Sequence, residues 1–369
     1  MSDDGGPLND FDHYLMVVSS FNRYSIFLSQ VLKFYQQDFE SLPQSHRDLI
    51  PEYAEKLNKL SQCYILNGEF LSTVSKAPPF FQVATEITPE VRRKFQLALN
   101  GELIFQADQH DKVNATLKCL FREWSIEGKT ERDQSFQPLI DALCRHFSST
   151  PEERYNQDIK ILVPGCGLGR LVWELCRKGF VTTGIEFSFY MILMSGFVLN
   201  RCEENQFSIY PFIHSLSNVK CNKDILSPVN IPDVDPSSFP MLPGPPKMQI
   251  GAADFVDAFK DDEEFDGIAT CWFLDTATNV IEYIEIIHKI LKKDGLWVNI
   301  GPLTYHWTRE TSSAGFVSIE LSHEEVIKVI ERVGFVVSNH RFSRCQYCQN
   351  LEGLGRNEYD CFYFEAKKV

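Results

Sequence analysis

The sequence predicts an α/β protein: a Rossmann-like sheet with an N-terminal helical region. Three observations predict it. Residues 1–150 carry helical rather than alternating apolar spacing. Near Asp158 the texture changes to strand, glycine turn, helix, strand, the sequence form of a βαβ unit. Beyond that, short apolar runs alternate with helical stripes to the end of the 369 residues. We therefore expect a helical cap over 1–150 and a Rossmann-like domain over 151–369, with a proline-rich insert at about 200–248.

In the cap, one stripe is Phe27, Val31, Phe34 and Tyr35, and a second is Leu49, Tyr53, Leu57 and Leu60. A third helix is expected from Val113 to about Trp124, on Leu117, Leu120, Phe121 and Trp124. The first strand is Ile159 to Val163, followed by Gly165-Cys166-Gly167-Leu168-Gly169, a helix over LVWELC, and a strand from Val181 to Phe187. Phe265 to Leu274 reads as a buried strand. Asn279 to Lys292 reads as a helix with Val280, Ile281, Ile284, Ile287 and Leu291 on one stripe, ended by Asp294-Gly295. Leu296 to Ile300 is a further strand, and Val333 to Ser338 and Tyr359 to Phe364 supply late ones. Ser322 with Glu325 three residues on has the spacing of a capping box. Within the insert, residues 228–246 hold seven prolines, so this stretch is expected to be loop. Phe207, Tyr210 and Phe212 nearby imply that part of the insert is packed.

Apolar residues at 44% and charged residues at 23% exclude global disorder. The formal net charge of −14 opposes binding to phosphate backbones and anionic lipid, so neither nucleic acid nor a membrane surface is expected as a partner. The longest apolar run, Phe187 to Leu199, is broken by Ser188, Ser195 and Gly196, short of a membrane span. The opening Met-Ser-Asp-Asp-Gly-Gly has no basic or apolar signal region. Eleven cysteines at irregular spacing read as reduced thiols, and a cytoplasmic or nuclear location is expected. Cys345-x-x-Cys348 with Cys361 beyond mimics half a zinc site, but no second pair stands at metal spacing, so no metal is expected. The Asp261 to Glu264 run reads as a solvated turn.

The glycine turn lets the backbone approach a ligand closely, at the start of a helix with free N–H groups. Glu186 lies 21 residues after Gly165, where an acid accepts ribose hydroxyls. The pattern is G-x-G-x-G with Arg170 at the place of a third dinucleotide glycine, which leans away from a dinucleotide enzyme. Asp254-Phe255 offers a carboxylate for an exocyclic amine and a ring for adenine to stack on. The next strand brings Cys271 and Asp275 to the same edge. With the LKKDG stretch from Leu291, this set resembles the class I S-adenosylmethionine-dependent methyltransferase arrangement.

More specific segments are SLP…LIPEY, FREWSIEGKTERD, ILVPGCGLGRLVWEL, IEFSF, FVLNRC, IPDVDP, ATCWFLDTATNVIEYIE, NIGPLTYHW and SIELSHEEV. Together they resemble the carnosine N-methyltransferase family from about residue 15 onward. The resemblance implies transfer of a methyl group from S-adenosyl-L-methionine to the imidazole of carnosine, giving anserine, with a small dipeptide as the partner. It implies cofactor contacts from Gly165, Glu186, Asp254, Phe255 and Cys271. The cap would contribute Arg122, a bidentate partner for the methionyl carboxylate, and Cys119, where the family carries glutamine. Asp275, His306 and Tyr359 fall where the family holds its substrate, with Asp275 and His306 as catalytic residues. The family histidine three residues after Asp275 is Thr278 here, and the aromatic run before Tyr359 is reduced to Asn357-Glu358. A homodimer is admitted beside a monomer.

The chemistry wants these residue types. An imidazole is nucleophilic only through its unprotonated nitrogen, and a carboxylate on the far N–H selects the tautomer whose near nitrogen is bare. Asp275 is assigned that role; His306 is a second hydrogen-bond partner or the exit for the proton, and Tyr359 orients the polar end of the substrate. The alternatives are that Asp275 caps the helix near Asn279, that His306 is a core histidine, and that Tyr359 is an ordinary strand aromatic. For the whole chain they are methylation of histidine in peptides or proteins or of another small imidazole, or a non-catalytic cofactor-binding scaffold.

Overall fold

A computed structural model describes residues 10–77, 88–104, 109–148, 150–259, 265–309 and 318–369. The opening Met-Ser-Asp-Asp-Gly-Gly and the Asp261 to Glu264 run lie outside the described residues. The strands are β1 (Lys160–Pro164), β2 (Val181–Glu186), β3 (Phe207–Ile209), β4 (Val229–Ile231), β5 (Met248–Ala252), β6 (Phe265–Cys271), β7 (Leu291–Gly301), β8 (Phe335–Gln346) and β9 (Glu358–Lys368). Seven of them form one sheet in the order β5-β2-β1-β6-β7-β9-β8. Within it β9 runs against β7 and β8, and the remaining pairs are parallel. The chain builds outward from β1 through β2 to β5, then returns to β6 and β7 on the other side of β1. That reversal opens a crevice at the carboxyl ends of β1 and β6.

Two apolar layers cover the sheet, which is why its inner strands read as unbroken apolar runs. Neighbouring residues of β1 point to opposite faces. Leu162 joins Ile268 and Trp297 beneath Val280, Ile284 and Ile287 of the helix Val280–Ile290 and Val326 and Ile330 of the helix His323–Val333. Ile161 and Val163 join Ala269 and Val298 beneath Leu139, Ile140 and Leu143 of the helix Lys129–His146, and Leu171 and Leu175 of the helix Arg170–Arg177. A buried polar chain crosses the inner strands: Trp297 Nε1 donates to Thr270 Oγ1 at 2.8 Å, Thr270 Oγ1 bonds Asn299 Oδ1 at 2.8 Å, and Asn299 Nδ2 donates to the Phe362 carbonyl at 3.2 Å.

The chain divides into two compact units. The sheet unit is Gly128–Ser188, Pro236–Gln349 and Asn357–Val369. The helical unit takes the described residues up to Glu127, then Phe189–Asp235 and Asn350–Arg356. Its long helices are Asp10–Ser41 and Tyr53–Lys76, joined by Pro89–Leu99, His110–Trp124, Phe189–Arg201 and the antiparallel pair β3–β4. Among the described residues up to 150, in this unit and in the first part of the sheet unit, none is strand, as the spacing predicts.

Several local expectations are corrected. The buried stripe of the first helix is Phe21, Tyr24, Leu28 and Leu32, one residue out of step with the expected stripe, and Phe34 is 64% exposed. Apolar residues occupy most faces of that helix, so its partner helix, not its periodicity, selects the inner one. Leu49 lies outside the helices and is exposed. Inside the proline-rich stretch, the three proline-free residues of β4 pair with β3. Phe207 packs on Phe70 and Phe197, Phe212 on Phe121, and the Asn67 carboxamide bonds both the N–H and the carbonyl of Tyr210 at 2.8 and 2.9 Å. The helix after Asn279 stops at Ile290; Leu291 is already extended, and β7 runs through Asp294-Gly295 with Asp294 left-handed at φ 65°. The register slip between Phe265 and Gly267 accommodates the extra residues. β6 ends at Cys271, and Leu274–Thr276 form a single 3₁₀ turn.

Among the described residues no helix is long and apolar enough to cross a membrane. The Ser322 capping box is present: Ser322 Oγ accepts the Glu325 N–H, and Glu325 Oε2 accepts the Ser322 N–H at 2.7 Å. Ser322→Ala is expected to lower stability by about 1 kcal/mol in urea unfolding, with Ser322→Asp close to wild type.

Candidate functional site

The carboxyl rim of the parallel strands gathers eight of the residues singled out in the sequence. Gly165 follows β1, Glu186 ends β2, Asp254 and Phe255 follow β5, Cys271 ends β6 and Asp275 follows it, and His306 follows β7. Tyr359 stands at the start of the reversed strand β9, which places it at the same rim. Arg122 and Cys119 lie in the helical unit, three residues apart on the helix His110–Trp124. Both are buried, and Arg122 Nη1 lies 3.6 Å from Glu123 Oε1.

The glycine turn is built from left-handed residues: Gly165, Gly167 and Gly169 have φ of 60°, 56° and 81°. That backbone is strained for residues with a Cβ. At Gly165 the space is filled as well, since a Cβ there would lie 2.5 Å from Phe273 Cδ2. The turn is tied to β2 by its acid. Glu186 Oε2 accepts the Gly167 N–H at 2.9 Å, and Oε1 accepts the N–H groups of Phe187 at 3.0 Å and Ser188 at 2.9 Å. Burial raises the pKa of the Glu186 carboxyl above its ordinary range, and these three donors work against it. A carboxylate has about four acceptor sites, so capacity for a hydroxyl donor remains.

Asp254 caps the short helix Phe255–Ala258, its Oδ1 accepting the Val256 N–H at 2.8 Å. Oδ2 carries no hydrogen bond among the described residues. Phe255 differs from expectation. Its ring is 4% exposed and meets Phe259, Phe273 and Tyr283 edge to face, so it is a core aromatic rather than an open stacking surface. Phe273 in turn stacks on Tyr283 at 4.8 Å. One aromatic block thus backs the glycine turn, the Asp254 cap and the turn carrying Asp275.

Asp275 is 3% exposed. Its Oδ2 accepts two bonds from Thr304, from Oγ1 at 2.6 Å and from the backbone N–H at 3.0 Å. The His306 N–H donates to the Asp275 carbonyl at 2.9 Å. Oδ1 carries no hydrogen bond among the described residues. Capping is not its role, because Asn279 itself caps the following helix through Oδ1 to the Ile281 N–H at 3.2 Å. His306 is exposed, not a core histidine. Its neighbour Tyr305 is the buried one, left-handed at φ 34°, with its hydroxyl donating to the Leu321 carbonyl at 2.6 Å; burial pushes that phenol up to about 12. Tyr359 is half-buried and meets Trp272 edge to face at 5.4 Å; Tyr347 packs on the same indole at 4.5 Å. Trp272 is left-handed at φ 55°, uncommon for so large a side chain.

Cys271 is half-buried at the end of β6. Cys345 and Cys361 are buried on neighbouring strands; their mutual hydrogen bond and burial push the Cys361 thiol far up. Among the described residues no two cysteines are joined by a disulfide. Among the described residues no group of three His, Cys, Asp or Glu side chains is placed to hold a metal ion. Sequence reasoning missed Thr304, Phe273 and Trp272. Their signal was adjacency within the quoted segments, Thr304 two residues before His306 in NIGPLTYHW and the two aromatics between Cys271 and Asp275 in ATCWFLDTATNVIEYIE.

The family model for carnosine N-methyltransferase matches residues 101–369. The carnosine N-methyltransferase of Mus musculus is 36% identical over 360 residues, spanning 97% of this chain and 86% of the relative. That of Dictyostelium discoideum is 34% identical over 359 residues, spanning 96% of this chain and 76% of the relative. Among solved structures, magnesium protoporphyrin IX methyltransferase from Synechocystis PCC 6803 aligns with a TM-score of 0.39 at 13% identity, spanning 70% of this chain and 97% of the other.

The glycine geometry is testable by itself. Gly165→Ala is expected to lose at least about 1 kcal/mol from the left-handed backbone alone, and more from the clash with Phe273. Gly251→Ala, where a Cβ meets nothing within 4 Å, serves as the control and is expected to unfold like wild type. Thermal unfolding of the two variants checks this.

Proposed function

The chain belongs to the carnosine N-methyltransferase family, and from that premise we propose that it methylates an imidazole nitrogen of carnosine, giving anserine, with S-adenosylmethionine as donor. The observation that carries the reading is the Asp275 carboxylate, buried, anchored through one oxygen and open at the other, beside His306 at the sheet's carboxyl rim.

The residues of the rim fit an adenosyl group. The three left-handed glycines of the turn after β1 carry no side chain, the Cys166 and Leu168 side chains between them are buried, and two carboxylates, Glu186 and Asp254, stand at the ends of β2 and β5 with acceptor capacity remaining. Glu186 would hold the ribose and Asp254 the adenine amine. When bound, S-adenosylmethionine supplies a methyl group already activated by a positively charged sulfur.

The protein's own work is therefore orientation and proton management. Asp275 Oδ1 accepts the far N–H of the acceptor ring, which fixes the tautomer and leaves the near nitrogen bare. The same carboxylate stabilises the positive charge the ring gains on methylation. Alignment of this kind is worth several powers of ten when the reacting atoms are held at about 3–3.5 Å. His306 is exposed next to this oxygen's backbone and is the group through which the surplus proton reaches water. Tyr359, with Trp272 and Tyr347, forms the wall on which the remainder of a dipeptide rests.

A labelled-methyl assay on carnosine, homocarnosine and short histidyl peptides, with mass spectrometry locating the new methyl, tests the reading; labelling of peptides without carnosine would reassign the acceptor. Asp275→Asn is expected to reduce turnover about 100-fold or more while leaving S-adenosylhomocysteine affinity unchanged by calorimetry. Glu186→Ala is expected to weaken that affinity at least about tenfold, the loss of one charged hydrogen bond.

A further inference from the structure

Asp275 needs something to hold it at one angle. A carboxylate rotates broadly about its last side-chain bond, and a buried one left unanchored presents no fixed acceptor direction. Thr304 meets that need from the loop after β7. Its hydroxyl and its own N–H both reach Asp275 Oδ2, 29 residues back along the chain, at 2.6 and 3.0 Å. The hydroxyl distance is that of a donor to an ionised carboxylate. Thr304 is an exposed residue, so the side chain is not there to fill the core, and its hydroxyl does not turn back on its own loop. With Oδ2 occupied twice, Oδ1 is the oxygen left to face an acceptor.

We infer that Thr304 is a positioning residue, whose hydroxyl locks the Asp275 carboxylate so that Oδ1 receives the N–H of the acceptor ring. The inference rests on the carnosine reading above. It separates two contributions. The backbone N–H also bonds Oδ2 and stays in every variant, whereas the hydroxyl supplies the second and shorter of the two bonds that fix the carboxylate's rotation. Thr304→Val preserves shape and the backbone bond while deleting the hydroxyl; Thr304→Ser restores it on a smaller side chain.

The test is steady-state methylation of carnosine by the full chain. Wild type, Thr304→Val, Thr304→Ala and Thr304→Ser are compared, with S-adenosylhomocysteine affinity and thermal unfolding measured on each. Thr304→Val and Thr304→Ala are expected to lose about tenfold in kcat and, with one donor to a buried carboxylate removed, a few degrees in unfolding temperature, with cofactor affinity unchanged. Thr304→Ser is expected to recover most of the loss. Valine and alanine variants that turn over like wild type, or a serine variant as slow as valine, overturn the inference and leave the carnosine reading standing. A wild-type chain that binds the cofactor but does not methylate carnosine overturns the reading first, and the inference with it.

Discussion

The joint between the turn after β6 and the loop after β7 governs what the rim can do. Three hydrogen bonds make it, two from Thr304 to the Asp275 carboxylate and one from the His306 N–H to the Asp275 carbonyl. A buried carboxylate with no partners is expensive by several kcal/mol, so the sequence can place an acid at this depth only because the neighbouring loop supplies donors. The same bonds fix His306 next to it. Strand order makes the joint possible: β6 and β7 are adjacent and parallel, so both deliver their following loops to one edge.

A second tie organises the other half of the rim. Glu186 collects N–H groups from the turn after β1 and from its own exit, which couples the glycine turn to the end of β2. Phe273 lies under both halves. It fills the space that a side chain at Gly165 would need, packs on Phe255 beside the Asp254 cap, and precedes Asp275 by two residues. Charge sits on top of this block and apolar area beneath it. Acceptors are therefore held on a rigid floor, the arrangement in which preorganised dipoles act most strongly.

The parts legible in the sequence are those with strong local rules. Apolar runs flanking Gly165 to Gly169 and the Ser322–Glu325 box follow from backbone geometry within a few residues, the 21-residue spacing to Glu186 from the length of one strand–helix–strand unit, and each is present. What escaped depends on partners far along the chain. The inner face of the first helix is chosen by the helix packed on it, because Phe27 and Leu28 are equally apolar and differ only in direction. Leu291 joins a strand through pairing with Phe265, which outweighs the helical stripe it extends in the sequence. The Phe255 ring turned inward because three other aromatics meet there. Thr304 lies in the NIGPLTYHW segment, yet no rule of spacing singles it out there; its meaning is a distance to Asp275 that only the folded chain shows.

The interleaving of the two units has a consequence for how the chain is made. β2 and β5 are neighbours, with Glu186 opposite Ala252, yet Phe189 to Asp235 between them belongs to the other unit. β8 and β9 are likewise separated by Asn350 to Arg356. Neither unit is a single uninterrupted stretch of chain. As the chain leaves the ribosome, the edge of the sheet at β2 must wait until the detour is synthesised, and closing that gap carries an entropic cost that grows slowly with its length. The donor-side acids Glu186 and Asp254 thus come together only after the intervening residues have been made.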